Sequence, residues 1–255
     1  MYIDTHAHLW FDHFKDDLSD VILKARAAGV ESIINIGCNA ESSMKSLELA
    51  REHDGFYAAI GLHPYDAEDF SEDLMKDWEG LYAENSDKIV AIGETGLDYF
   101  RSKVDPEVQK RSFRGQLQLA GKLNLPVVVH NRDADEDCLT ILKEFPEVKA
   151  VFHCFGSDLS FAEKVWKNGY FTSFTAIVTY KKNDELREVI ASAPIDQIMV
   201  ETDCPYLPPE GKRGERNEPA FLLATIKQIA ESRGMSIEGI ADVLEKNSKE
   251  FFKFS

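Results

Sequence analysis

Eight short apolar runs, separated by stretches with helical periodicity, constrain the fold of this chain more than any other feature of its sequence. Continuous apolar runs are typical of parallel strands buried on both faces of a sheet. Their alternation with helices over 255 residues predicts an α/β fold, a (β/α)8 TIM barrel forming a single domain over residues 1–255. The runs are Met1–Ile3, Ser32–Ile36, Phe56–Ile60, Ile89–Ile92, Pro126–Val129, Ala150–Phe152, Tyr170–Phe174 and Gln197–Val200.

The stretches between the runs carry apolar residues three and four positions apart, as amphipathic helices do. Gly29 and Gly169 follow two of these stretches, where a residue in the left-handed region commonly ends a helix. An open doubly wound sheet is the alternative fold, but no G-x-G-x-x-G follows the first run. The clearest helical segments are 17–28, 107–123, 184–193 and 219–232.

Polar side chains able to bind metals recur at the carboxyl ends of the runs. In a barrel these ends surround one opening, so we expect the side chains to converge there. The residues are His6, His8, His63, Glu94, His130, His153, Glu201 and Asp203.

Four histidines among them are candidate metal ligands. His6 and His8 stand two residues apart on a strand, so both imidazoles point to the same side and can reach one ion. His130 and His153 each follow an apolar run. Any one of them alone is better interpreted as a loop or core histidine, but their coincidence at matching strand ends favours ligation.

The carboxylates complete the candidate site. Glu94 has two oxygens that can bridge ions about 4 Å apart, and Gly93 and Gly96 indicate a backbone bent to turn this side chain inward. Asp203 can bind an ion and accept a proton from an activated water. Glu201 is expected behind the ligands, orienting a histidine. The alternatives are a salt-bridged Glu94 and an Asp203 that caps the following segment.

The chemistry of these donors limits the choice of ions. Imidazoles and carboxylates without thiolates suit Zn, Mn, Co, Ni or Fe, with Mg at an oxygen-rich position. Four scattered cysteines form no C-x-x-C pair, which disfavours a thiolate site and a disulfide framework. A reducing, cytoplasmic location is therefore expected.

Charge and hydropathy exclude several classes of function. The net charge of −16 argues against broad electrostatic binding of duplex nucleic acid, which normally needs a basic surface. It leaves room for a nucleic-acid substrate at a small site where metal ions reverse the local sign. No run of about 18 apolar residues indicates a membrane span. A site motif already begins at Asp4, so no cleaved leader is expected.

Read together, the motifs resemble the TatD family of metal-dependent deoxyribonucleases, within the wider amidohydrolase-like group of barrels. The resemblance extends in order from residue 1 to about residue 220. It is carried by Asp4-Thr5-His6-Ala7-His8-Leu9, Gly61-Leu62-His63-Pro64, Gly93-Glu94-Thr95-Gly96-Leu97-Asp98, Pro126-Val127-Val128-Val129-His130, His153-Cys154-Phe155-Gly156, Glu201-Thr202-Asp203-Cys204-Pro205-Tyr206-Leu207 and Arg213-Gly214-Glu215-Arg216-Asn217-Glu218-Pro219.

The resemblance implies two divalent ions. One would be held by His6, His8, Glu94 and Asp203. The other would be held by Glu94, His130 and His153, with Glu94 bridging the pair. His63 would stand beside the substrate phosphate. The chain departs from the family pattern at Glu215, where a lysine is common, and at Phe174-Thr175-Ala176, where a glycine usually follows the seventh strand.

The expected activity is hydrolysis of DNA phosphodiester bonds, with 3′ to 5′ exonuclease action on single-stranded ends, by a water that two ions activate. Asp203, His63 and Glu94 are the expected catalytic residues, and the enzyme is expected to act as a monomer without an obligate protein partner. Four loop arginines after strand ends are candidate phosphate contacts, although loop arginines are commonly only solvated: Arg101, Arg132, Arg213 and Arg216.

Two other functions remain open at this point. The same metal centre could attack a carbonyl in an ester or amide, such as an aminoacyl-tRNA ester or the substrate of a small-molecule amidohydrolase. Glu94 favours the nuclease, because many small-molecule amidohydrolases carry a modified lysine at the bridging position. A binding or scaffold protein with a vestigial site is the third interpretation, and the intact ligand set disfavours it.

Overall fold

The structure, a computed structural model, describes residues 1–254, and within them the predicted alternation of strands and helices is present. One sheet contains eight strands ordered as in the sequence. Each predicted apolar run overlaps one of them. The strands are β1 (Tyr2–Ala7), β2 (Val30–Ile36), β3 (Phe56–Ile60), β4 (Ile89–Asp98), β5 (Val127–Arg132), β6 (Ala150–Phe152), β7 (Phe171–Phe174) and β8 (Ile198–Val200).

Helices connect the strands, and their positions agree with the periodicity of the sequence. Gly29 and Gly169 adopt φ angles of +87° and +80° just beyond two of them, as predicted. No helix of residues 1–254 is both long and apolar enough to cross a membrane. The helices are α1 (Leu18–Ala27), α2 (Ala40–Glu52), α3 (Glu72–Glu84), α4 (Pro106–Leu123), α5 (Asp135–Leu142), α6 (Leu159–Lys167), α7 (Asp184–Ser192), α8 (Leu222–Arg233) and α9 (Ile237–Phe252).

Strand order decides between the two predicted architectures. An open doubly wound sheet reverses its strand order at a switch point, whereas β1 to β8 follow one another without reversal. Cys204, beyond β8, forms a parallel bridge with Ala7 at the end of β1. The fold class is therefore the predicted (β/α)8 barrel, and the open sheet is excluded.

The chain divides into two compact units. The first, here called the H6 unit, comprises Met1–Asn35 and Cys154–Glu250. The second, the E94 unit, comprises Ile36–His153 and, at the end of the described chain, residues 251–254. Each has its own buried apolar residues, including Ile33, Phe174 and Val200 in the H6 unit and Ile60, Ile92 and Phe152 in the E94 unit. A single domain over residues 1–255 stays a prediction.

Three strands continue past the carboxyl ends of their apolar runs. β1 continues beyond Ile3 to Ala7, β4 beyond Ile92 to Asp98, and β5 beyond Val129 to Arg132. His6, Glu94 and His130 consequently lie inside strands, not after them as expected. Backbone pairing does not depend on side-chain polarity, and Gly96 pairs with His130 across β4 and β5.

Candidate metal centre

In the H6 unit, two imidazoles and a carboxylate converge. The Nε2 atoms of His6 and His8 lie 3.1 Å apart. Asp203 Oδ1 is 3.6 Å from His6 Nε2 and 3.4 Å from His8 Nε2. Both histidines are buried. The three side chains thus bring two imidazole nitrogens and one carboxylate oxygen together in one small volume, the convergence expected for these strand ends.

Backbone pairing beyond β8 brings Asp203 to this place. The Asp203 N–H donates to His6 O at 2.9 Å, and the His8 N–H donates to Cys204 O at 2.9 Å. Asp203 has a φ of +56°, in the left-handed region, and these bonds hold it there. The Asp203 side chain is therefore fixed relative to both imidazoles by main-chain contacts.

A buried carboxylate reinforces the same junction. Asp4 accepts hydrogen bonds from the Thr202 N–H at 2.9 Å and from the Thr202 hydroxyl at 2.5 Å. Burial raises the pKa of Asp4 to about 7, against the opposing effect of these hydrogen bonds. Asp4 binds the start of β1 to the segment carrying Asp203, a role that the sequence motif did not reveal.

In the E94 unit, imidazoles surround a single carboxylate oxygen. Glu94 Oε1 lies 2.7 Å from His130 Nδ1, 2.8 Å from His153 Nε2 and 3.6 Å from His63 Nε2. His130 Nδ1 and His153 Nε2 are 3.4 Å apart. Burial opposes ionisation, but the surrounding imidazoles outweigh it and hold the pKa of Glu94 well below its usual range. Glu94, His130 and His153 therefore converge on one point, and their role as ligands of one ion stays a prediction.

Glycines in β4 permit this close approach. Gly93 and Gly96 have φ angles of +149° and +136°. A Cβ on Gly96 would lie 2.0 Å from His130 O, and one on Gly93 would lie 2.8 Å from Val128 O. The predicted backbone distortion around Glu94 is present, and it brings β4 against β5.

His63 lies beside this group in the neutral form. Burial, assisted by the neighbouring His130 and His153, lowers the pKa of His63 to about 3, although Glu94 and Asp98 oppose the shift. Its Nδ1 accepts a hydrogen bond from the Tyr65 N–H at 3.1 Å. The ring proton is consequently on Nε2, the nitrogen that lies 3.6 Å from Glu94 Oε1.

Asp98 is another residue of this site whose role sequence reasoning missed. Its Oδ2 lies 3.1 Å from His130 Nε2 and accepts from the Tyr65 hydroxyl at 3.2 Å. Its Oδ1 accepts from the N–H groups of Phe100 and Arg101 at 2.9 and 2.6 Å. Despite burial, these donors hold the pKa of Asp98 far below its usual value. The only sequence signal was its place at the end of the Gly-Glu-Thr-Gly-Leu-Asp motif.

Glu201 and Cys38 contact the backbone or side chains of candidate ligands. Buried Glu201 accepts the Cys154 N–H at 2.6 Å, which fixes the turn directly after His153. That Glu201 orients a ligand histidine stays a prediction. Cys38 Sγ lies 4.0 Å from Glu94 Oε2, a contact that its position in the sequence did not indicate.

The four candidate phosphate-binding arginines have different surroundings. Arg216 Nη2 lies 2.7 Å from Asp17 and 2.8 Å from Glu218, and Nη1 donates to His13 O. Arg213 is largely exposed and lies over the Tyr180 ring at 4.7 Å. Arg132 lies over the Phe100 ring at 4.9 Å. Arg101 and Arg132 are both exposed. Arg216 is therefore held in a structural ion-pair network, while the guanidinium groups of the other three are more accessible.

Glu215, where the family commonly has lysine, is exposed and pairs with Lys212 at 3.0 Å. The departure from the family pattern is therefore accommodated on the surface.

The donors of both units suit a borderline divalent ion. Each group combines two imidazoles with one carboxylate within bonding reach of a common point, and neither depends on a thiolate. Such sets bind Zn, Mn, Co, Ni or Fe. The residues present therefore fit metal ions.

Barrel strands whose carboxyl ends carry converging imidazoles and carboxylates are typical of metal-dependent hydrolases. Comparison with known proteins agrees with this class and specifies the family. The model of the family described as TatD related DNase matches residues 3–253, and the chain belongs to the TatD family.

Three relatives illustrate the similarity. YabD of Bacillus subtilis, named an uncharacterized metal-dependent hydrolase, is 41% identical over 257 residues, covering 100% of both chains. The 3′-5′ ssDNA/RNA exonuclease TatD of Erwinia tasmaniensis is 37% identical, with 98% of each chain covered. The crystal structure of YJJV, a TatD homologue from Escherichia coli K12, has a TM-score of 0.93 and 32% identity, covering 100% of this chain and 98% of that chain. The protein is accordingly a metal-dependent hydrolase with a barrel fold.

Proposed function

We propose that this hydrolase is a nuclease that removes nucleotides from the 3′ end of single-stranded nucleic acid, with DNA as its expected substrate. The proposal is carried by the convergence of imidazoles and a carboxylate in each unit. It is supported by family membership and by relatives named 3′-5′ ssDNA/RNA exonuclease. Because none of the four cysteines forms a disulfide, we place the enzyme in a reducing compartment, the cytoplasm. We also propose that it acts as a monomer.

The ligands are assigned from the donor groups. His6, His8 and Asp203 would hold one divalent ion, and Glu94, His130 and His153 would hold a second. The family resemblance assigns Glu94 to both ions. When bound, the ions would lower the pKa of water and offset charge on the phosphate group. The remaining steps fall to side chains of the protein.

Asp203 is the proposed proton acceptor. Its Oδ1 faces both imidazoles of the H6 unit, and main-chain bonds fix its position. A carboxylate so placed can orient the attacking water and take its proton. Glu94, kept anionic by its imidazole neighbours, provides negative charge at the second group.

His63 is the proposed donor to the phosphate. The proton on Nε2 can be donated to a non-bridging oxygen, and the ring does so as a neutral group because its pKa is about 3. A neutral donor stabilises developing negative charge without being held in an ion pair beforehand. Arg101, Arg132 and Arg213 are the remaining candidates for phosphate contact. Arg216, which is paired with Asp17 and Glu218, is proposed to hold the loop after β8 in place for the substrate.

Asp98 is proposed to set the tautomer of His130. In this tautomer Nε2 would donate its proton to Asp98, which lies 3.1 Å away, and the lone pair of Nδ1 would be left for a bound ion. Carboxylate–histidine pairs of this kind orient the ring and increase its basicity toward a metal ion. Tyr65 and two backbone N–H groups keep Asp98 ionised for this purpose.

The test is digestion of a 5′-labelled single-stranded oligonucleotide, as DNA and as RNA, by metal-loaded protein. We expect a ladder of shortened products that chelator abolishes and that Asp203→Asn slows by about 10²-fold or more. Asp242→Asn, an exposed aspartate in α9, is the matched control and should behave like the wild type. Intact oligonucleotides with bound metal would contradict the proposal and direct attention to esters and amides.

A further inference from the structure

Three partly exposed aromatic side chains, Trp10, Phe11 and Tyr206, form a cluster in the H6 unit, here called the aromatic platform. The rings of Trp10 and Phe11 stack with centroids 4.0 Å apart and planes 27° apart. Tyr206 meets Phe11 edge-on at 5.8 Å. Tyr206 is 48% exposed, and the other two are half-buried. These contacts cover one face of Trp10 and one face of Phe11, but all three rings keep some aromatic surface in contact with solvent.

We propose that the aromatic platform is a stacking subsite for the bases next to the cleaved end of a single-stranded nucleic acid. This inference rests on the proposed nuclease function and specifies how the substrate is recognised. Exposed aromatic rings bind single strands because every base offers a π-face. The proposal therefore also predicts little preference among bases.

The platform is continuous with the ligands of the H6 unit. The His8 ring meets Trp10 at 5.9 Å and Phe11 at 5.7 Å, both edge-on. On the other ligand segment, the Tyr206 N–H donates to Asp203 O at 3.0 Å. Both segments that carry ligands thus run directly into the platform. A base stacked there would be attached to a phosphate close to His8 and Asp203.

The backbone beneath Tyr206 is held rigidly. Buried Asn217 donates from Nδ2 to Tyr206 O at 2.6 Å and to Thr202 O at 2.9 Å. Its own N–H donates to Pro205 O at 3.1 Å. Because the segment is already ordered, little conformational entropy is lost when a base stacks on the ring, which favours binding.

The charge of the protein favours stacking on bases, and not contacts with many phosphates, as the source of affinity for the strand. The chain carries a net charge of −16, and the Arg216 guanidinium is engaged by Asp17 and Glu218. Binding through many phosphates needs unengaged cations and depends steeply on salt. Stacking needs neither, so it suits an acidic protein that binds the short end of a strand.

The test uses a short single-stranded DNA with phosphorothioate linkages, which resist hydrolysis, and 2-aminopurine as its 3′-terminal base. Stacking on an aromatic ring quenches the fluorescence of this base. Metal-loaded wild-type protein should quench the probe, and a probe with an abasic 3′ end should bind at least about fivefold more weakly. This comparison requires no variant.

Variants then locate the effect. Tyr206→Ala should weaken binding of the 2-aminopurine probe about fivefold or more, while Tyr206→Phe retains it because the ring is kept. The matched control is Phe254→Ala, which removes a ring stacked on Tyr57 at 4.2 Å, outside the platform. Equal binding of the base and abasic probes, or unchanged quenching by Tyr206→Ala, would overturn the proposal.

A parallel cleavage assay separates this inference from the proposed function. If the nuclease proposal alone fails, the probe is quenched but an unmodified oligonucleotide stays intact. If the platform alone fails, oligonucleotides with base and abasic 3′ ends are cleaved with equal kcat/KM.

Discussion

The orientation of a candidate metal ligand in this protein depends on a second residue that contacts its side chain, and Asp98 beside His130 is the clearest case. It occupies His130 Nε2 while Glu94 faces Nδ1, so one ring connects two carboxylates with different tasks. Asp98 is buried and held by the Tyr65 hydroxyl and two main-chain donors. Its contribution should therefore appear in metal affinity more than in stability.

Asp98→Asn tests this assignment. An amide keeps the shape of the side chain but removes the charge that selects the Nε2–H tautomer of His130. We expect metal affinity to fall about 10- to 100-fold, measured by competition with a chromophoric chelator. Tyr65→Phe is the comparison, since it removes one donor to Asp98 and leaves the carboxylate, so its loss should be smaller. Unchanged affinity in Asp98→Asn would refute the tautomer assignment.

At the residue scale, the candidate metal ligands were easier to predict from the sequence than the residues that orient them. His6 and His8 were predictable because residues two apart on a strand face one side, a rule that needs no knowledge of the fold. Asp98 was not, since its role depends on pairing between β4 and β5, where Asp98 lies opposite Arg132. Whether Glu94 bridges two ions stays a prediction.

At the scale of elements, the close contact of β4 and β5 depends on glycine. We predict that Gly96→Ala destabilises the fold by at least about 2 kcal/mol, because the residue has φ of +136° and its new Cβ would meet His130 O. Metal content should fall as well, since His130 would be displaced. Gly211→Ala, where a Cβ meets nothing within 4 Å, is the control. Denaturant unfolding compares the stability of the two variants, and metal analysis compares their metal content. Equal unfolding midpoints for Gly96→Ala and Gly211→Ala would contradict this prediction.

The loop after β8 is fastened to the start of α1 through Arg216 and Asp17. The Arg216 guanidinium holds the pKa of Asp17 below its usual value, so the stabilisation is present above the unfolded-state pKa. It is lost as pH falls through the lowered folded pKa. Asp17→Asn should therefore lower the unfolding midpoint at pH 7, with the difference from wild type vanishing in acid. Asp20→Asn, exposed in α1, is the control, and a difference that persists in acid would argue against the pair.

Element positions were largely predictable, and their ends were not. Apolar runs located every strand, because a strand buried on both faces must be apolar. The runs stopped at Ile3, Ile92 and Val129, whereas β1, β4 and β5 continue through polar residues. The backbone of these extensions still pairs within the sheet, but their side chains include the polar residues of the candidate site. Hydropathy therefore does not indicate where these strands end.

For the whole molecule, the alternation of strands and helices predicted an α/β fold and favoured the barrel, but the strand order that excludes a doubly wound sheet came from the structure. The net charge of −16 is also evident from the sequence, and it limits the number of substrate phosphates that the protein can contact. We predict a shallow salt dependence, with a slope of log(1/KM) against log salt no steeper than about −1.4, the value for two phosphate contacts on a single strand. A much steeper slope, measured with long oligonucleotides, would indicate an extended phosphate-binding surface.

The most direct test of the central claim is a titration of metal-depleted protein with Mn²⁺, following hydrolysis of single-stranded DNA together with the number of ions bound. We expect no hydrolysis without metal and full activity at about two ions per chain, the number used in two-metal hydrolytic sites. Substitution of His6 or His153 by alanine should lower the bound number toward one. Hydrolysis that persists in the metal-free protein, or fully metal-loaded protein that leaves DNA intact, would contradict it.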